Sequence, residues 1–192
     1  MRGDASLTEL TGTAVAVTGT RWASGYGNTV AAEFGYDLAR AGVTIVGGGS
    51  AGVDESAYRA ALAGEGRTVI VLPCGVDHTC PREHARLYDD AIERGGRLIS
   101  EYPIGALAVQ ARLAARCRLI AAPAAATVIV EAGQRSFALA TARAANALDR
   151  RVYGVPGSIY STSSTGVNEL IRTGAATAAT SAKHINYQEG LR

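Results

Sequence analysis

The sequence predicts an α/β fold: one doubly wound, mainly parallel sheet with helices on both faces. Three observations lead there. Short apolar or β-branched runs recur six times, each ending in a Gly or Ser/Thr turn and followed by a segment with helical spacing. The composition, with 23 Gly and only 6% aromatic residues, suits close packing of helices on a sheet. No linker or low-complexity run divides the 192 residues, a length that buries a good core in one domain.

Residues 1–12 read as a loose leader. Thr13–Thr18 is the first strand, and Gly19-Thr20-Arg21 and Ser24 follow at its end. Asn28 is expected to cap a helix whose Val30, Phe34, Leu38 and Ala41 share a face, with Gly42 ending it. The second strand is Val43–Val46. The third is Thr68–Leu72, with a helix over Arg82–Arg94 after it. Arg97–Ser100 is the fourth strand, and one helix is expected from Leu107 to Ala121, with Arg112 and Arg116 four apart on one face. The fifth strand, Thr127–Val130, leads through Gln134-Arg135-Ser136-Phe137 into an Ala-rich helix. Arg151–Val155 and a helix over Val167–Arg172 complete a body spanning 13–176. Residues 177–192 are a C-terminal tail, read either as a last strand or as loose chain.

The stretch Val43–Gly64 draws most attention. A buried strand runs into Gly47-Gly48-Gly49-Ser50-Ala51-Gly52, and a helix with Val53, Ala57, Tyr58, Ala61 and Leu62 on one face follows. Strand, glycine loop and helix place backbone N–H groups against an anion, and Ser50 adds a hydroxyl. The loop is therefore expected to bind phosphate. Loops at the carboxyl ends of parallel strands share one rim, so Arg21 is expected beside it.

Charge and composition narrow the partner. The formal net charge is only +2, and all but one of the 19 basic residues are Arg. Arg forks onto phosphate and stacks on bases. GC-rich coding also yields such a bias, so position carries the argument. No run of about 18 apolar residues occurs, and the first residues lack the apolar core of a secretory signal, so a cytoplasmic protein is expected. Three Cys without an export signal point to reduced thiols. Cys74, His78, Cys80 and His84 are zinc-type ligands, but their spacing is that of no standard finger or ribbon, and no metal or other cofactor is expected.

Gly47, Gly49 and Gly52 formally match the dinucleotide fingerprint. The acidic residue needed about 20 positions later is missing, since strand three ends in Leu72-Pro73-Cys74. No Walker lysine and no G-x-S-x-G elbow is present, and no catalytic residue is assigned. Glu101 and Glu131, both at strand ends on the rim, are the candidate acids or bases, though such residues more often orient a neighbouring Arg or cap backbone groups; a nucleotide-binding or phosphoribohydrolase-like enzyme on a related scaffold would depend on Glu131. The P-G-G-x-G-T-x-x-E block of such enzymes is interrupted, because a polar insert parts Pro156-Gly157 from Gly166 and Glu169.

The blocks together resemble the DNA-processing protein A family (DprA, also called Smf). Thr18-Gly19-Thr20-Arg21 with Ser24 and Tyr26-Gly27 is similar to its first phosphate loop, and Gly48–Asp54 to its S-G-x-A-x-G-I-D block. Ser100-Glu101-Tyr102-Pro103, Arg116-Cys117-Arg118-Leu119-Ile120-Ala121, Val128–Ala132 with Ser136 and Thr141-Ala142, and Val155-Pro156-Gly157 follow in order. Cys117 stands where the family has Asn, and Ser136-Phe137-Ala138 where it has S-G-S. The resemblance implies a minimal, extended Rossmann-like domain that binds single-stranded DNA in DNA uptake or recombination. It also implies a homodimer and a RecA-type recombinase as partner. The residues it implies in phosphate binding are Gly19, Thr20, Arg21, Ser24, Gly48, Gly49, Ser50, Gly52, Arg116, Arg118, Ser136, Phe137 and Thr141. Tyr26 and Phe137 are the candidates for base stacking.

Overall fold

The computed structural model describes residues 1–187. Seven parallel strands form one sheet in the order β4-β3-β2-β1-β5-β6-β7. They are β1 (Ala14–Thr18), β2 (Thr44–Gly47), β3 (Thr68–Val71), β4 (Arg97–Ile99), β5 (Ala126–Ile129), β6 (Arg151–Gly154) and β7 (Thr177–Ala178). Each of the six runs read as a strand is one, within a residue or two at its ends. The order reverses between β1 and its neighbours: β2 continues one way, while β5 pairs on the other side, with Thr18 opposite Ile129. That reversal opens a crevice at the carboxyl ends of β1 and β5.

The strands are apolar throughout because the sheet is covered on both faces. In β1, Val15 and Val17 face one layer with Phe34, Leu38, Val53 and Tyr58. Ala14 and Ala16 face the other, with Leu10, Ile120 and Ala124. The first layer contains α2 (Gly25–Arg40), α3 (Val53–Ala63) and α4 (Ala85–Glu93). The second holds α1 (Leu7–Thr11) and the pair α5 (Gln110–Ala115) and α6 (Cys117–Ala121). Beyond β5, α7 (Ala138–Ala147) and α8 (Thr165–Arg172) close a third cluster around Ile129, Leu139 and Val167.

Four differences from the sequence reading have physical causes. The leader is not loose: Leu10 is fully buried, and Arg2 exchanges two backbone hydrogen bonds with Leu98, adding an antiparallel bridge to the edge strand β4. Asn28 does not cap α2. The cap is Ser24, whose hydroxyl accepts the Gly27 N–H at 3.0 Å, while Asn28 is one turn further on and accepts from Ser56. The expected long helix over 107–121 is two short ones. Residues 107–109 are not helical, and the assignment breaks at Arg116. The tail supplies β7 and buries Ala179, Ala182 and Ile185, so its described part is neither loose nor separate; its last five positions, 188–192, lie outside the described residues.

The α2–α3 contact sets the spacing of the first layer. A Cβ on Gly35 would lie 2.3 Å from the Ala57 carbonyl oxygen, so the two backbones touch there. Gly35→Ala is expected to cost about 1–3 kcal/mol by overpacking, lowering Tm by roughly 2–10 °C. Gly25→Ala, in the same helix with open space around it, leaves Tm within a degree or so. Equal melting of the two variants in a calorimeter would contradict this account.

Candidate functional site

The crevice between β1 and β5 is a cleft of about 410 Å³. One wall is the turn after β1, with Gly19, Thr20, Arg21 and Trp22. The other is the turn into α7, with Gly133, Arg135, Ser136 and Phe137. Ser50, Arg116, Cys117 and Thr141 line it between these walls.

Two buried carboxylates shape this rim. Asp54, in the first turn of α3, is 3% exposed. One of its oxygens accepts the Thr18 hydroxyl at 2.7 Å, and the other accepts the Gly48 N–H at 2.9 Å and the Ser50 N–H at 3.3 Å. Burial raises its pKa above the ordinary carboxylate range, against the pull of the Thr18 bond, of Arg116 and of the two N–H groups. The anion held by this glycine loop is therefore a side chain of the protein itself. Glu131, at the end of β5, is the second. It accepts the Ser24 N–H at 2.9 Å and hydroxyls from Ser24 at 2.7 Å and Ser163 at 3.1 Å. Its carbonyl takes the Thr20 N–H at 2.7 Å. Glu131 thus fixes the N-terminus of α2, as a carboxylate does at the positive end of a helix.

The glycines of the loop serve this packing. Gly49 and Gly52 have φ of 69° and 79°, in the left-handed region that favours glycine. A Cβ on Gly49 would lie 2.3 Å from the Tyr88 hydroxyl, and one on Gly52 2.6 Å from the Thr20 carbonyl. The Gly49 carbonyl accepts from Tyr88 at 3.0 Å and lies 2.9 Å from His84 Nδ1, whose Nε2 is 3.2 Å from Glu55. His84 is thereby part of the support under the loop. Cys74 Sγ faces the His78 carbonyl, and the Cys/His cluster gathers no set of metal ligands among the described residues.

Arg116 is 7% exposed. Its Nη2 donates to Ser50 Oγ at 2.8 Å, and its Nη1 donates to the Gly48 and Val71 carbonyls, at 2.5 and 3.3 Å. Nearby Cys117 points its thiol at the Phe137 carbonyl, 3.4 Å away, and burial pushes that thiol's pKa up, which keeps it protonated. Arg112, one helical turn before Arg116 with its carbonyl accepting the Arg116 N–H at 3.1 Å, stacks its guanidinium 4.5 Å above the Tyr102 ring.

The residues singled out in the sequence therefore separate. Gly19, Thr20, Arg21, Ser50, Arg116, Ser136, Phe137 and Thr141 line the cleft. Gly48, Gly49 and Gly52 do not: the Gly48 N–H is turned to Asp54, while Gly49 packs against Tyr88 and Gly52 against the β1 turn. Ser24 is occupied by Glu131, and Arg118 is ion-paired with Glu101 away from the cleft. Tyr26 also turns away, its hydroxyl donating to the Pro156 carbonyl at 2.9 Å. Trp22 and Arg135 are the residues the sequence reading passed over. The available signal was their position, directly beside Arg21 and Ser136 in the two turns that meet at the strand-order reversal.

A doubly wound parallel sheet with an anion-suited crevice at its switch point defines a Rossmann-like nucleotide- or phosphate-binding class. Within that class the family is clear: the profile of DNA recombination-mediator protein A matches residues 1–189, and the chain belongs to that family. It is 46% identical over 173 residues to a DNA processing protein DprA of Mycobacterium tuberculosis, covering 90% of this chain and 44% of that protein. It is 38% identical over 161 residues to protein Smf of Escherichia coli, covering 84% and 43%. The chain thus spans less than half the length of these relatives. The fold is also that of DprA from Streptococcus pneumoniae, with a TM-score of 0.84, 32% identity, and coverage of 93% of this chain and 62% of that one. For DprA from Helicobacter pylori the TM-score is 0.83 at 29% identity, with coverage of 94% and 81%. Molybdenum cofactor carrier proteins share the fold at 17–18% identity.

Asp54→Asn keeps the shape but turns an NH₂ group toward donors. It is expected to destabilise by about 1–3 kcal/mol, the cost of leaving a buried donor unpaired. Combined with Arg116→Met, its effect should be non-additive, because both side chains hold the same loop. Urea unfolding of the two single variants and the double checks this, and simple additivity would separate the two roles.

Proposed function

We propose that the cleft binds the backbone phosphates of single-stranded DNA, and that the protein acts in DNA processing or recombination. One observation carries the reading. Two helix N-termini at this rim carry the protein's own carboxylates: Glu131 accepts the N–H of Ser24, the α2 cap, and Asp54 sits in the first turn of α3. That of α7 has no acidic residue in its first turn: its Ala138 N–H is capped by the Ser136 hydroxyl at 3.2 Å, so only the positive end of its dipole, with that hydroxyl, faces the cleft. Arg21 and Arg135 stand on either side of it, both exposed and without an ion pair or hydrogen bond among the described residues. A helix terminus and two unengaged guanidinium groups are a site for anions in a row. The likeness to the H. pylori protein, which binds single-stranded DNA, supports a polymer over a free nucleotide. The bonds that Glu131 makes to Ser24 and Ser163 disfavour the enzymatic alternative, which needs a carboxylate turned to a substrate. The proposal extends to a homodimer as working unit, a cytoplasmic setting and a RecA-type recombinase that receives the strand; the family's description as a recombination mediator supports a recombinase partner. No helix among the described residues is long and apolar enough to cross a membrane.

Fluorescence anisotropy with a labelled oligo-dT at several salt concentrations tests the reading. Log K should fall with log salt by about 0.7 per phosphate contact. Arg21→Ala and Arg135→Ala should each weaken binding for every sequence tried and reduce that slope by about 0.7. Arg118→Ala should change neither. Absence of binding at low salt, or indifference to both cleft arginines, would defeat the proposal.

A further inference from the structure

Trp22 is the only tryptophan in the chain and is 88% exposed. An indole is a large, flat apolar surface with a polar edge, and at the mouth of a cleft it offers a face for contact. This one is held on a fixed backbone. The Thr20 N–H is bound to Glu131, the Thr20 carbonyl takes the Val53 N–H at 3.2 Å, and the Trp22 N–H is bound to the Thr20 hydroxyl at 3.2 Å. Two residues on, Ser24 is pinned to Glu131 through both its N–H and its hydroxyl. The side chain stands at the lip of the cleft, lining both it and a shallow hollow beside the Glu55–Arg59 pair.

We propose that Trp22 is a stacking platform for a base of the bound strand, adjacent to the phosphate taken by Arg21; the proposal rests on the reading of the cleft as a single-strand site. Consecutive side chains then read consecutive parts of one nucleotide: the guanidinium meets its negative charge, the indole its flat apolar face. Phe137, on the opposite wall, lies within the cleft rather than at its lip, so the two aromatics serve different positions along the strand. Every base has a π-face, so a platform of this kind raises affinity without selecting sequence. It selects single strands over duplexes, whose bases are already stacked.

The single tryptophan makes the test direct. Wild-type protein, Trp22→Ala and Trp22→Phe are titrated with oligo-dT and with an abasic oligonucleotide of the same length, following anisotropy and intrinsic fluorescence. Expected for the wild type are quenching by oligo-dT, no quenching by the abasic strand, and tighter binding of oligo-dT. Trp22→Ala should lower oligo-dT affinity about 5- to 150-fold, leave abasic binding unchanged and keep the salt slope. Trp22→Phe should retain most of the difference between the two ligands. If wild type and Trp22→Ala bind both strands alike, stacking is overturned while the phosphate site stands. If the wild type binds neither strand at low salt, the reading of the cleft falls and stacking with it. If Trp22 is inert toward DNA but its loss abolishes a contact with another protein, the indole is a protein-docking residue and the proposal is again overturned.

Discussion

The carboxylate of Asp54 is the constraint on which the rim depends. It is buried, and a buried carboxylate persists only when its oxygens are hydrogen-bonded and a counter-charge stands near. It draws the Thr18 hydroxyl from β1 and two N–H groups from the loop after β2. Arg116, from an element far along the chain, supplies positive charge and ties off the Gly48 carbonyl and the Ser50 hydroxyl. Three segments are thus locked together by one buried side chain. The glycines around it have no side chain because the protein's own atoms fill that space.

Glu131 does the same on the opposite flank, with softer partners: hydroxyls and one N–H in place of an arginine. Between the two anchors lies the turn carrying Arg21 and Trp22. Its backbone is tied at Thr18, Thr20 and Ser24, while its two long side chains reach out unengaged. Rigid support beneath exposed functional groups limits the conformational entropy lost when a ligand is bound. The neighbouring α7 terminus differs in having a neutral hydroxyl, that of Ser136, in place of a carboxylate.

Much of this was legible in the sequence. The six strands could be read because parallel strands buried on both faces are continuous apolar runs, and α3 because its Val53, Ala57, Tyr58, Ala61 and Leu62 face one way. The arrangement of the rim was less accessible. A glycine loop before a helix looks the same whether its N–H groups hold a phosphate or a side chain six residues on, so nothing in the pattern marked Asp54 as the loop's own acceptor. Arg112 and Arg116 have helical spacing and are one turn apart, yet one guanidinium goes to an aromatic ring while the other is buried, a difference set by what each meets in the folded chain. Trp22 has no periodic partner, and its exposure is a fact of the folded chain alone.

The pairing of β1 with β5 has a consequence for how the protein comes into being. Thr18 and Ile129 are neighbours in the sheet with over a hundred residues between them. Contacts of such long range form late, because a large loop must close before they reward it. As the chain leaves the ribosome, β1, β2 and the glycine loop emerge long before Arg116 and Glu131. Until those arrive, Asp54 lacks its cation and the Arg21 turn lacks its anchor. The cleft is therefore a late product of folding: the first half of the chain, made alone, holds Arg21 and Ser50 but lacks Arg116, Glu131 and the α7 turn that complete the rim.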